Sequence, residues 1–155
     1  MTGILNKNEA YRKAVSEIRA VTDGEKDLVA NLANISAVLK GAFPYYSWAG
    51  FYLLKEGELV LGPFQGKPAC IRIKPGRGVC GRCAAGKESI IVDDVRGFPG
   101  HIACDPDSRS EIVVPVLRGG ELKAVLDVDS AAACSFDEED RRGLEEAAAI
   151  AASFF

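Results

Sequence analysis

The stretch Gly100 to Val116, GHIACDPDSRSEIVVPV, puts the chain's one histidine, His101, three residues before Cys104 and then runs through Asp105, Asp107, Arg109 and Glu111 into an apolar segment. A cysteine in so polar a setting has three readings. As a small hydrophobe a free cysteine is often simply buried; that suits Cys134 in AAACSF and also Cys70, beside Ile71 and Ile73. Zinc is the second reading. Cys80-x2-Cys83, then seventeen residues, then His101-x2-Cys104 falls inside the spacing window of a four-ligand structural site. Against it, a chain of this size builds a core without metal, and CGRCAAG has the small-residue character of a short helix. The third reading is thiol redox chemistry, which needs thiolate character, solvent access and a second thiol. Cys104 has His101 nearby and Arg109 as a candidate cationic neighbour, while Asp105 opposes thiolate formation. A carboxylate beside a reactive sulfur suggests binding or proton delivery, for a substrate that is cationic or is protonated as it reacts.

The acids sharpen this. In AVLDVDS, Asp127 and Asp129 are separated by one residue, so on a strand both point to one face. Two carboxylates there are either a solvated strand end or, in a pocket, partners that raise each other's pKa until one holds a proton near neutrality. Glu111 opens the preceding strand of the same expected hairpin and can reach that face.

Several elements must position these groups. Tyr11, Ala14, Val15, Ile18 and Val21 recur at helical spacing, predicting an amphipathic helix over 5–21 that could pair with a second subunit or pack on its own sheet. A second helix carries Leu28, Val29, Leu32, Ile35 and Leu39 and stops at Gly41. WAGFYLL (48–54) and ELVLGPF (58–64) flank KEG as a hairpin; ACIRIK (69–74) alternates; GVCGRCAAGK reads as a short helix ending at Gly86; SIIVDDV is a short strand. The polar loop from Arg96 to Ser110 has a length that usually signals function. EIVVPVL and ELKAVLDVDS form a second hairpin around RGG, and SFDEED fits a capping box with Ser135 as cap and Glu138 three residues on, opening a last helix. The expectation is an α+β domain over 1–155: about six mostly antiparallel strands, helices on one face, and pocket-forming loops on the other.

Composition sets outer bounds. With 155 residues, 48% hydrophobic, 26% charged and net charge −3, the chain reads as an ordinary globular domain. It has no Lys/Arg block to meet a phosphate backbone, so no nucleic-acid partner is expected. No apolar run approaches the ~20 residues of a membrane span, and the first residues lack a signal peptide's pattern. A cytoplasmic location follows as the expectation. The five cysteines, an odd number, are then not a structural disulfide framework.

Taken together, WAGFYLL, LVLGPFQGKPAC, GRGVCG, GHIACDPDSRSEIVVPV and AVLDVDS resemble the free methionine-(R)-sulfoxide reductases, stand-alone GAF-domain proteins, over about residues 30–130. The resemblance implies a GAF-like fold and reduction of free, not peptide-bound, L-methionine-(R)-sulfoxide without a cofactor or metal. By motif it implies Cys104 as nucleophile, Cys70 as the main resolving thiol and Cys80 as a second recycling or resolving thiol. Trp48 and Tyr52 become an aromatic wall around the methyl-sulfur end, and Glu111, Asp127 and Asp129 an acidic cluster, with Asp129 or Glu111 favoured as proton donor. Thioredoxin or a similar dithiol would restore the enzyme, and a homodimer is compatible. Cys83 and Cys134 lie outside the family's three-cysteine pattern. The rival readings are a ligand-binding GAF sensor without catalysis and a zinc-stabilised module.

Overall fold

A computed structural model describes residues 6–155 apart from residue 103. Four α-helices and six strands follow one another as α1 (Lys7–Thr22), α2 (Leu28–Ala42), β1 (Trp48–Lys55), β2 (Glu58–Gln65), β3 (Arg72–Ile73), α3 (Gly78–Gly86), β4 (Ile90–Val92), β5 (Ser110–Arg118), β6 (Glu121–Ser130) and α4 (Glu138–Ala152). The strands make one antiparallel sheet in the order β3-β2-β1-β6-β5-β4. Both expected hairpins are present, and a crossing pair, β1 against β6, joins them at the centre.

Alternation along the central strands divides the interior in two. Phe51 and Leu53 of β1, Ile112 and Val114 of β5, and Leu126 and Val128 of β6 face α1, α2 and α4, where they meet Leu32, Ile35, Leu39, Leu144 and Ala147. Trp48 and Tyr52 of β1, Val113 of β5 and Val125 of β6 face the other way, toward Val79, Cys80 and Cys83 of α3. The expected layer of helices on one face is α1, α2 and α4, while the short helix α3 lies on the pocket face with the loops. Its Cys80 and Cys83 side chains, buried with Val79 and Ala84, give α3 an apolar side that needs cover, and the pocket side of the sheet supplies it.

The predicted helix start at residue 5 lies outside the described residues. Three other expectations change. The apolar stripe of α1 packs mainly on α2 and α4 within the chain. The third strand shrinks to Arg72–Ile73, because the preceding segment turns toward the Cys104 loop. The cap of α4 is Asp137, with Asp140 as its reciprocal partner. Ser135 does not cap, because its hydroxyl is bonded to Ser130 and to the Ala132 carbonyl. Asp140 also anchors the helical layer. Fully buried, it accepts from Tyr11 at 2.7 Å, Tyr45 at 2.5 Å and Lys7 at 2.5 Å, tying α1 to α4.

Candidate active site

Register builds the floor of the site. Asp129 of β6 lies between Trp48 of β1 and Glu111 of β5, and one step along, Asp127 lies between Gly50 and Val113. Because side chains two apart share a face, Trp48, Tyr52, Glu111, Asp127 and Asp129 all rise from the pocket side of the sheet. Gly50 leaves a gap in this row. A Cβ there would collide with Phe64 backbone and side chain, and its absence lets the Phe64 ring stack on Trp48 at 5.1 Å and 16°.

The walls come from two loops and one helix. Cys70 follows β2 on a segment held by two of the aromatic residues below it. Trp48 Nε1 donates to the Lys67 carbonyl at 3.0 Å, and the Tyr52 hydroxyl donates to the Cys70 carbonyl at 2.9 Å. Cys104 sits in the loop between β4 and β5. A disulfide joins Cys70 to Cys104 across a Cα–Cα distance of 5.5 Å, and both residues are half-buried. An ion pair ties the same two loops, with Lys67 Nζ 2.8 Å from Asp107 and 4.0 Å from Asp105. The first turn of α3 closes the third side. Gly78 adopts φ +63°, where glycine is at ease, and leaves room for Ile102 of the Cys104 loop.

The cavity so formed is lined by Trp48, Tyr52, Cys80, Cys104, Glu111, Asp127 and Asp129, together with His101, Ile102, Ser108 and the Gly78–Val79 turn. Burial dominates its electrostatics. Glu111 is raised well above the usual carboxylate range, first by burial and then by the charges of Asp127 and Asp129. Asp129 is pushed up by burial and by Asp127. Asp127 is raised by burial too, but the nearness of Glu111, Cys80 and His101 opposes the rise. Burial and the surrounding carboxylates lift the Cys80 thiol, and burial lifts Cys83 to about 12. His101 is lowered by burial, against the pull of Asp127. Two buried carboxyls, Glu111 and Asp127, and the half-buried Asp129 on one patch cannot all be ionised at neutral pH without a cation among them. The patch therefore holds at least one proton beside a cysteine pair that can be oxidised and reduced.

Every residue that the resemblance implied for the site lines this cavity or, as Cys70, is bonded to a residue that does. Others fall elsewhere. Arg109 pairs with Asp94 at 3.5 Å and is absent from the cavity wall, because its backbone N–H is held to the Ser130 carbonyl at the end of β6. Cys134 is exposed, not buried, in a turn where it adopts φ +57°. The zinc set of Cys80, Cys83, His101 and Cys104 is not gathered: Cys104 is in the disulfide and Cys83 lies in the apolar layer. Sequence reasoning missed Ser108, Ile102 and the Lys67–Asp107 tie. Opposite charges three residues from each of two cysteines were the available signal for the last of these.

A family model described as a GAF domain matches residues 23–155. Protein YtsP of Bacillus subtilis is 48% identical over 143 residues, covering 91% of this chain and 88% of that protein. The free methionine-R-sulfoxide reductase of Escherichia coli is 46% identical over 142 residues, covering 92% of this chain and 86% of that protein. The X-ray structure of free methionine-R-sulfoxide reductase from Neisseria meningitidis, in complex with its substrate, superposes with a TM-score of 0.94 at 47% identity, covering 100% of this chain and 93% of that one. With its sheet order, its acid-floored cavity and these relatives, the chain belongs to the GAF-domain family and, within it, to the free methionine-(R)-sulfoxide reductases.

Proposed function

We propose that this chain reduces free L-methionine-(R)-sulfoxide to L-methionine, with Cys104 as nucleophile and Cys70 as the thiol that resolves it. The observation that carries the reading is the Cys70–Cys104 bond beside a cavity floored by Glu111, Asp127 and Asp129.

In the reduced protein the Cys104 thiolate attacks the sulfoxide sulfur while a neutral carboxyl protonates the oxygen. Methionine leaves, and Cys104 carries the oxygen away as sulfenic acid. Cys70 condenses with it, water departs, and the disulfide forms. Glu111 and Asp129, opposite each other across β5 and β6, are the proton-holding pair. Asp127, whose rise is opposed by its neighbours, keeps its charge longest and binds the substrate ammonium. The first turn of α3 suits the carboxylate end, since its cap residue Arg77 makes no side-chain bond to the free backbone N–H groups. A cavity that pairs both ends of a free amino acid refuses the same residue within a peptide. Trp48 and Tyr52 pack against the methyl-sulfur end. Cys80, a buried thiol beside the acids, is a slower recycling thiol, and thioredoxin or a similar dithiol returns the disulfide to thiols. That recycling suits a reducing compartment such as the cytoplasm.

The test mixes reduced protein, dithiothreitol and free L-methionine-(R)-sulfoxide and follows methionine. Turnover is expected, with none from Cys104→Ser. Prereduced Cys70→Ser, freed of dithiothreitol, should complete one turnover and form a dimedone-reactive sulfenic acid at Cys104 that Cys80 captures only slowly. An intact, fully reduced protein that yields no methionine rejects the reading.

A further inference from the structure

Three donor atoms in the cavity form a set that a zwitterionic amino acid does not account for. Cys80 Sγ and one carboxylate oxygen each from Glu111 and Asp127 lie within 4.8 Å of one another, and all three side chains are buried. Asp127 is only 5% exposed, yet its Oδ1 has no hydrogen-bond partner among the described residues. His101 Nδ1, on the same wall, is likewise buried without a partner. Ser108 Oγ is a third such atom. Buried polar atoms are nearly always bonded, so three orphans on residues lining one cavity point to a ligand. A substrate ammonium would satisfy the carboxylates and recycling would employ the Cys80 thiol, but a thiophilic cation would engage thiol and carboxylates together. Sulfur, carboxylate and imidazole together are the donor types that take zinc. Tetrahedral donors about 2.0–2.3 Å from such an ion lie roughly 3.3–3.8 Å apart, so atoms within 4.8 Å of one another reach that geometry by closing up to about 1.5 Å.

We propose that Cys80, Glu111 and Asp127 form a binding site for a thiophilic divalent cation of the zinc type. Uptake releases the Cys80 proton and any carboxyl proton to solvent, and no electron moves. One thiolate and two carboxylates around a doubly charged cation leave a net charge of −1, where the same three anions alone would carry −3. The set is available in the oxidised protein, because the Cys70–Cys104 disulfide leaves Cys80 a free thiol. Bound there, the cation takes the acids that the sulfoxide needs and withholds Cys80. Zinc is therefore an inhibitor competitive with substrate, a consequence that rests on the reductase reading, whereas the binding itself does not.

The experiment uses the full chain with its disulfide intact, in a Cys134→Ser background that removes the exposed thiol, without chelator. Cd2+ is titrated in and its ultraviolet thiolate charge-transfer band is followed. The band should saturate at one ion per chain and fall as Zn2+ displaces Cd2+. It should be absent from Cys80→Ser, and Asp127→Asn should weaken binding at least tenfold. A band that survives Cys80→Ser, or no band from protein with a native circular dichroism spectrum, overturns the proposal. Turnover then separates the two readings. Zn2+ should raise KM for the sulfoxide and EDTA should restore it. Cation binding without any sulfoxide reduction would sink the reductase reading alone, and reduction indifferent to zinc would sink the site alone.

Discussion

Glu111 shows how a single side chain can work against the fold for the sake of chemistry. Its carboxyl is buried between Asp127 and Asp129, and its folded pKa stands well above the ordinary value near about 4. Between those two values the native chain holds a proton that the unfolded chain has lost, so stability falls as pH rises through that window. Glu111→Gln removes the titration and keeps the shape. At pH 8 the variant is expected to melt a few degrees higher than the parent, where about 1 kcal/mol moves a domain of this size by roughly 2–4 °C. The gain should vanish toward pH 4, and kcat for the free sulfoxide should drop by about 10²–10⁴, the usual share of a general acid. Thermal melts across pH read the first part, and steady-state kinetics the second. A variant that melts lower at pH 8 would mean that the charge is satisfied and the proton is held elsewhere. The acids themselves were legible in the sequence, since Asp127 and Asp129 obey the period of a strand and Glu111 opens the one beside it. Arg109 was not, because its direction depends on a loop anchored to Ser130 and Asp94, contacts that no local pattern encodes.

At the level of elements, α4 is placed by a missing side chain. Gly143 lies in the interior of α4, where glycine costs about 1 kcal/mol relative to alanine, yet the Tyr11 ring of α1 occupies the space its Cβ would fill. That ring is itself fixed by Asp140, Tyr46 and Phe43, so it cannot retreat. Gly143→Ala should therefore destabilise the protein by about 1–3 kcal/mol, the usual cost of overpacking, in spite of alanine's better helix propensity. Gly41, near the end of α2, has nothing within 4 Å of its missing Cβ, and Gly41→Ala should be neutral or gain up to about 1 kcal/mol. Urea unfolding of both variants checks the contrast; a gain in both would mean that propensity alone governs these helices. Helix periods, both hairpins and the six strands could be read from the chain because each is a local pattern. Two features could not. The placement of α3 on the pocket face depends on which side of the sheet α1, α2 and α4 leave uncovered. The cap of α4 depends on Ser135 being engaged by Ser130 and Ala132, which leaves Asp137 as the next available acceptor.

The whole molecule is built of two unequal halves across one sheet. On one side, three helices and a large apolar layer hold β1, β5 and β6 with fully buried leucines, isoleucines and aromatics. On the other, a smaller layer under α3 supports two loops tied to each other by the disulfide and by the exposed, solvent-screened pairing of Lys67 with Asp107 and Asp105. Redox state should accordingly act on one half only. The bond spans 34 residues, and closing a loop of that size stabilises a domain by about 3–4 kcal/mol in the chain-entropy account. Reduction should lower the melting temperature and open the segments 66–71 and 100–108, freeing Cys104 to meet a substrate. Hydrogen exchange on the oxidised and reduced forms is the measurement. Faster exchange is expected in those two segments and in the first turn of α3, where Gly78 meets Ile102. Protection in α1, α2, α4 and the central strands should be unchanged beyond the global shift. If reduction instead loosened α1 and α4 as much as the loops, the sheet would not be insulating the scaffold from the chemistry. The division of labour between a rigid helical face and a redox-responsive pocket face would then have to be abandoned.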